Sequence, residues 1–272
     1  MAHSHHYAAL LVHDRLRLPW VCVALSPGQF AHHGRLATMQ PAPRADLNLL
    51  ASSRVFSSPL PEIHDNLVVT GFWFEEGRDP GRWQPTPALR AFVHGGDRPL
   101  VLCLGGSPGP EAAEVVRIHA QAACLLGKTL VVQAGWAGLR DLAPPETVAR
   151  DRVFLTDFVS HDWLFARAEA VVHPGGIGVT ARALKHGCPM LLEPRRTDHF
   201  FHAALVRQLG VGYAMDPRKL GADGVARMLA ERVAAPETRS RARACAESLR
   251  AEDGVRTACG FIEALLGVAG PG

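Results

Sequence analysis

Ala170-Val171-Val172-His173-Pro174-Gly175-Gly176-Ile177-Gly178-Val179-Thr180 is the stretch whose reading decides the fold. It opens as a short run of small and β-branched apolar residues, the composition of a strand buried on both faces of a parallel sheet. It then becomes a glycine loop at Gly175, Gly176 and Gly178, which enters a short helical segment ending near Gly187. The same rhythm continues outward on both sides. Residues 99–104 form an apolar strand rising into Gly105-Gly106-Ser107-Pro108-Gly109, and a helix follows with Ala112, Val116, Ala120, Ala123 and Leu126 on one face. Strands are expected at 129–133 and 153–155, and another at Pro189-Met190-Leu191-Leu192, with helices beyond it, the last around 260–266. Strand and helix in alternation predict an α/β fold with a parallel sheet flanked by helices.

The first third is less regular. A helix over 8–16 and strands over 20–25, 47–52 and 67–71 are expected, with little periodicity across 28–44. Glycines and prolines between Gly77 and Pro87 have linker composition. The expected division is a first domain at 1–76, a linker at 77–97, a second domain at 98–266 and a tail at 267–272. A length of 272 residues agrees with two domains at about 150 residues each.

Composition excludes several classes. With 47% hydrophobic and 20% charged residues the chain can bury a core, so it is not disordered. A formal net charge of +3 is too small for a nucleic-acid footprint. No apolar run approaches about 20 residues, so no transmembrane segment is expected, and the first residues lack the pattern of a secretory signal. The six cysteines contain no C-x-x-C and several lie inside apolar runs, which reads as buried thiols in a reducing cytoplasm and no metal site.

A glycine loop between a strand's C-terminal end and a helix lets backbone N–H groups approach an anion, and the helix N-terminus adds partial positive charge. Glycine also serves ordinary tight turns, so the loops alone leave both readings open. Neither loop is a G-x-G-x-x-G followed by a ribose-binding acid, and no Gly-Lys-Ser/Thr occurs, which disfavours dinucleotide and ATP sites.

The order of motifs is more specific. Phe158-Val159-Ser160-His161-Asp162-Trp163-Leu164-Phe165, the glycine stretch, Gly187-Cys188-Pro189, Glu193-Pro194 with Asp198-His199, and Leu209-Gly210-Val211-Gly212 together resemble the donor-binding half of the UDP-glycosyltransferase family. Its bacterial antibiotic and rhamnolipid members and its sterol glucosyltransferases are the most similar. Pro19-Trp20-Val21, Thr70-Gly71-Phe72, Leu104-Gly105-Gly106-Ser107 and Glu252-Asp253-Gly254 fall in the family's order too. The resemblance implies a GT-B fold, with one complete C-terminal Rossmann-like domain and a shortened N-terminal one that starts late and lacks a helical stretch between Phe30 and Ala45.

By the same resemblance the donor is a UDP- or dTDP-sugar, with no cofactor or metal. Phe158 takes the place of the ring that stacks on the base, and Val159 that of the backbone reading the base edge. His161 stands where plant relatives carry glutamine. Gly176 and Gly178 line the diphosphate, Gly105 and Ser107 face it, and Asp198 and His199 hold the sugar hydroxyls. Two positions depart from the pattern: Pro174 replaces a phosphate-contacting histidine and Val179 a hydroxyl residue, with His173 and Thr180 as one-residue substitutes. Asp198 is alternatively a helix N-cap before Phe200, and Trp163 and Leu164 read as core. No catalytic base is identified, because His13, His32, His33 and His64 match no catalytic position. Two functions therefore stand side by side. One is inverting hexosyl transfer to a small lipophilic acceptor hydroxyl; the other is an incomplete donor-binding module completed by a partner chain or a homo-oligomer.

Overall fold

The computed structural model describes residues 12–27, 45–58, 67–75, 83–105, 111–135 and 148–268. Contacts divide the chain into two compact units, one running from Gly77 to Glu247 and the other joining residues up to Glu76 with those from Ser248 onward.

The larger unit is built on six parallel strands in the order β6-β5-β4-β7-β8-β9. These are β4 (Leu100–Cys103), β5 (Leu130–Gln133), β6 (Val153–Thr156), β7 (Ala170–His173), β8 (Met190–Leu192) and β9 (Gly212–Ala214). Central register runs Leu100↔Leu130 on one side of β4 and Leu100↔Ala170 on the other. Val101, Val131, Val171 and Leu191 are fully buried, which explains why these strands read as unbroken apolar runs. Strand β9 went unforeseen because three residues beginning with glycine carry no periodic signal.

Two helices of this unit, named by their place in the whole chain, are α2 (Pro87–His94) and α3 (Ala112–Leu125). Helix α2 lies inside the stretch expected to be linker. Thr86 caps it, accepting from the Leu89 N–H, and Leu89 and Val93 are buried. Its proline stands in the first turn, where a missing N–H costs nothing, so composition misread a helix start as a breaker. Helix α3 buries Ala112, Val116, Ala120 and Ala123 of the expected face, and beyond it Val115, Ile118, His119 and Ala122. Further on come α4 (His161–Phe165), α5 (Ile177–Lys185), α6 (Thr197–Leu209), α7 (Pro217–Met228) and α8 (Pro236–Leu249).

The smaller unit carries three parallel strands, β1 (Val21–Ala24), β2 (Leu47–Leu50) and β3 (Leu67–Val69), with the short helix α1 (Arg54–Ser57) after β2. The last helix, α9 (Gly254–Leu266), lies against β2 rather than with the larger unit to which the segment was assigned. An amphipathic pattern shows that a helix has an apolar face, not which sheet will cover it. The attachment is polar at its start: the Glu252 carboxylate accepts from the Ser53 hydroxyl and from the Arg54 N–H, both at 3.0 Å. Gly254 then passes so close to the chain at Gly71 that a Cβ would sit 2.6 Å from its carbonyl oxygen. Residues 12–16 are helical; the rest of the expected 8–16 helix and the stretch 28–44 lie outside the described residues.

Candidate functional site

In the larger unit, β4 and β7 are neighbours whose chains continue toward opposite edges of the sheet. The space above their carboxyl ends is the switch point at which open α/β sheets hold ligands. Three strand-end loops meet there. A Cβ on Gly105 would lie 3.7 Å from the Pro174 ring, and one on Gly135 would lie 3.5 Å from the Gly105 carbonyl oxygen. Gly176 caps α5 with no side-chain hydrogen bond. Among the described residues, no atom lies within 4 Å of where a Cβ would stand on Gly176 or Gly178. Among the described residues the first turn of α5 is thus open on the Cβ side of both glycines, and the leading amides of a helix have no intrahelical acceptor. Ser107 lies outside the described residues.

The turn itself is tightly held. Gly175 has φ +108, and a Cβ there would meet the His199 backbone at 3.1–3.2 Å and its Cβ at 3.3 Å. Its N–H donates to His173 Nδ1 at 3.1 Å, and its carbonyl accepts from His202 Nδ1 at 2.7 Å. His173 is fully buried, and burial, followed by the neighbouring histidines, pushes its pKa down to about 3. Thr180 is also fully buried, its hydroxyl donating to the Gly176 carbonyl at 3.0 Å. These two side chains, expected as one-residue substitutes for the phosphate contacts, thus face inward and support the turn. Pro174 is buried between the loops.

At the end of β6, Phe158 is 67% exposed while Val159 is buried. The Phe158 ring meets Trp83 edge-on at 6.5 Å, and Trp83 meets Trp163 at 5.9 Å. Leu164 is core, but Trp163 is only part-buried and carries the Arg167 guanidinium 4.9 Å above its ring. His161 stacks on Phe165 at 4.6 Å, and its Nε2–H donates to the Gln133 side-chain oxygen at 2.7 Å. Burial, with Arg182 nearby, pushes His161 down to about 4, so it is neutral near pH 7. Asp162 ties α4 to α5 through Arg182 and through His186 at 2.7 Å. Burial alone would raise that carboxyl, but the two hydrogen bonds outweigh it and bring it down.

Helix α6 begins at Thr197 behind Arg196, so Asp198 stands exposed inside the first turn and is not the cap. The acidic charge near the N-terminus suits the helix dipole all the same. His199 is half-buried, with Nδ1 accepting from the Arg195 N–H at 3.4 Å, and burial lowers its pKa. Beside it Glu193 lies 4% exposed, with one carboxylate oxygen 2.7 Å from His119 Nε2. Gln133, His202, Trp83 and His119 were not singled out from sequence, and Glu193 only as part of the Glu193-Pro194 motif. Only Glu193 carried a signal, a carboxylate placed directly after a buried strand. Among the described residues no cluster of His, Cys, Asp and Glu could hold a metal ion, and no helix is long and apolar enough to cross a membrane.

Residues 143–258 match the family described as erythromycin biosynthesis protein CIII-like, C-terminal domain. The chain is 34% identical over 197 residues to an O-mycaminosyltylonolide 6-deoxyallosyltransferase of Streptomyces fradiae, covering 72% of this chain and 44% of that protein. This chain is a GT-B glycosyltransferase homologue. It is also 34% identical over 179 residues to a sterol 3-beta-glucosyltransferase of Arabidopsis thaliana, covering 64% of this chain and 26% of that one. Among solved structures, the calicheamicin glycosyltransferase CalG4 superposes with a TM-score of 0.65 at 23% identity, over 84% of this chain and 54% of that one. The homologue described here thus spans half or less of the length of these curated relatives.

Proposed function

We propose that this glycosyltransferase homologue binds a UDP- or dTDP-activated hexose at the switch point of its six-stranded sheet, and that its inherited chemistry is inverting transfer to the hydroxyl of a small lipophilic acceptor. The observation that carries this reading is the open first turn of α5. Gly176 and Gly178 have free space beside them, and the loops after β4, β5 and β7 converge around it. A diphosphate placed there would take hydrogen bonds from backbone N–H groups at a helix N-terminus. Phe158 offers an exposed ring for the base. Asp198, exposed on the first turn of α6, offers a carboxylate to sugar hydroxyls. The buried thiols Cys103 and Cys188, both pushed up to about 12 by burial, suit a reducing cytoplasm.

Pro174 favours a second reading, in which the chain binds donor weakly and does not complete transfer alone. A proline stands where the resemblance expects a phosphate-contacting side chain, while His173 and Thr180 are committed to the turn. Losing one charge-assisted hydrogen bond costs about 1.5–3 kcal/mol, roughly 10–150-fold in affinity. Isothermal titration with a panel of UDP- and dTDP-sugars tests the binding, and absence of heat at millimolar ligand rejects it. Release of UDP or dTDP with and without lipophilic acceptors then separates transfer from binding.

A further inference from the structure

The Gly175 peptide is gripped on both sides by histidine rings from different helical or strand elements. His173, the last residue of β7, accepts from the Gly175 N–H through Nδ1. His202, in the middle of α6, donates from Nδ1 to the Gly175 carbonyl. Both rings are completely buried. The first contact spans two residues and does for histidine what an Asx turn does for asparagine. It requires the neutral His173 ring to carry its proton on Nε2, and that atom is buried with no hydrogen-bond partner among the described residues. An unpaired buried donor is destabilising, so stability alone does not account for a histidine at this place. What the pair controls is the direction of the chain as it leaves Gly175 at φ +108 for Gly176 and α5.

We propose that His202 is a positioning residue which, with His173, locks the Gly175 peptide so that the amides opening α5 face the donor diphosphate. The inference rests on the donor reading given above. It adds that α6, which also presents Asp198 to the sugar in that reading, sets the aim of the diphosphate cradle from the same helix. His202→Phe keeps the ring and deletes the donor. Asparagine places Nδ2 as many bonds from Cα as histidine places Nδ1, so His202→Asn restores the donor. His173→Phe keeps a ring and deletes the acceptor for the Gly175 N–H.

The experiment measures binding of UDP and dTDP, and separately of uridine and thymidine, to the full chain and to each variant, with thermal unfolding alongside. The expected result is a loss of about tenfold or more in nucleoside diphosphate affinity for His202→Phe with nucleoside affinity unchanged. His202→Asn should return to within about threefold of wild type, and His173→Phe, which removes the acceptor, should lose diphosphate affinity as His202→Phe does. A folded His202→Phe that binds the diphosphates as tightly as wild type overturns the proposal. So does equal loss of diphosphate and nucleoside binding with a lowered melting temperature, which is a merely structural role. Should the wild-type chain bind none of the four, the donor reading fails instead. Ligand-free 15N spectra then decide the lock, which requires Nδ1–H at His202 and Nε2–H at His173; an Nε2–H tautomer at His202 overturns it.

Discussion

Cutting the buried His119–Glu193 pair at one end should destabilise the larger unit far more than cutting it at both. The two side chains are 1% and 4% exposed, with Nε2 and the carboxylate oxygen 2.7 Å apart, and His119 Nδ1 lies 2.8 Å from the Val115 carbonyl. Nε2 faces the carboxylate at ion-pair distance without the alignment of a hydrogen bond, so it is charge on a protonated His119 that would join α3 to the end of β8 as a buried ion pair. Burial alone would lower the His119 pKa, but Glu193 outweighs it and the value is raised. His119→Leu leaves a buried carboxylate with Arg195 at 4.0 Å as its nearest cation among the described residues. Removing one partner of such a pair costs about 3–5 kcal/mol, whereas replacing both by apolar residues is often neutral. At about 2–4 °C per kcal/mol for a unit of this size, the single variant should melt roughly 6–20 °C lower. The double variant His119→Leu/Glu193→Leu should recover most of that loss. The sign with pH follows from the raised value: the pair's contribution is complete below the unfolded histidine pKa of about 6.5 and is lost as pH rises through the folded one. Urea unfolding of wild type, both single variants and the double variant at pH 6 and pH 8 measures all of this. A His119→Leu loss below about 1 kcal/mol, or a double variant no better than the singles, refutes the ion-pair account.

Gly175→Ala should destabilise by about 1–3 kcal/mol, because the substitution forces a side chain into φ +108 and onto the His199 backbone; thermal unfolding reads it. Phe158→Ala should leave stability nearly unchanged, since the ring is exposed, yet weaken nucleoside binding by about 5–150-fold as a stacking surface worth about 1–3 kcal/mol is lost. Acid should destabilise the larger unit in the opposite sense to His119: His173 and His161, held down to about 3 and about 4, take up protons in the unfolded chain first. Their contribution is intact above about pH 6.5 and falls as pH drops toward those values, and His161→Gln should flatten that part of the acid unfolding curve.

Five of the six strands in the larger unit were legible: β4, β5, β7 and β8 because they are buried on both faces and so are written as apolar runs, and the part-buried edge strand β6 because its first three residues are apolar. The turn at Gly175 was legible because only glycine takes its backbone angle without strain. What supports the turn was not. His202 reaches it from a distant helix, and a single buried polar residue in an amphipathic stretch looks the same whether it holds a loop or only fills space. Asp198 fell on the wrong side of the cap because α6 starts behind Arg196 without a side-chain cap. Trp83 was hidden inside a stretch whose prolines and glycines read as linker.

The hook formed by Glu252 on Ser53 and Arg54, with α9 against β2, ties the two ends of the polypeptide into one unit. On a ribosome the strands β1 to β3 emerge early, but the helix that lies against β2 arrives only after the whole of the larger unit has been made. The smaller unit must therefore wait, incompletely covered, while the intervening residues fold. A stop or proteolytic cut between Glu247 and Ser248 strands it in that unfinished state and leaves the larger unit's residues intact.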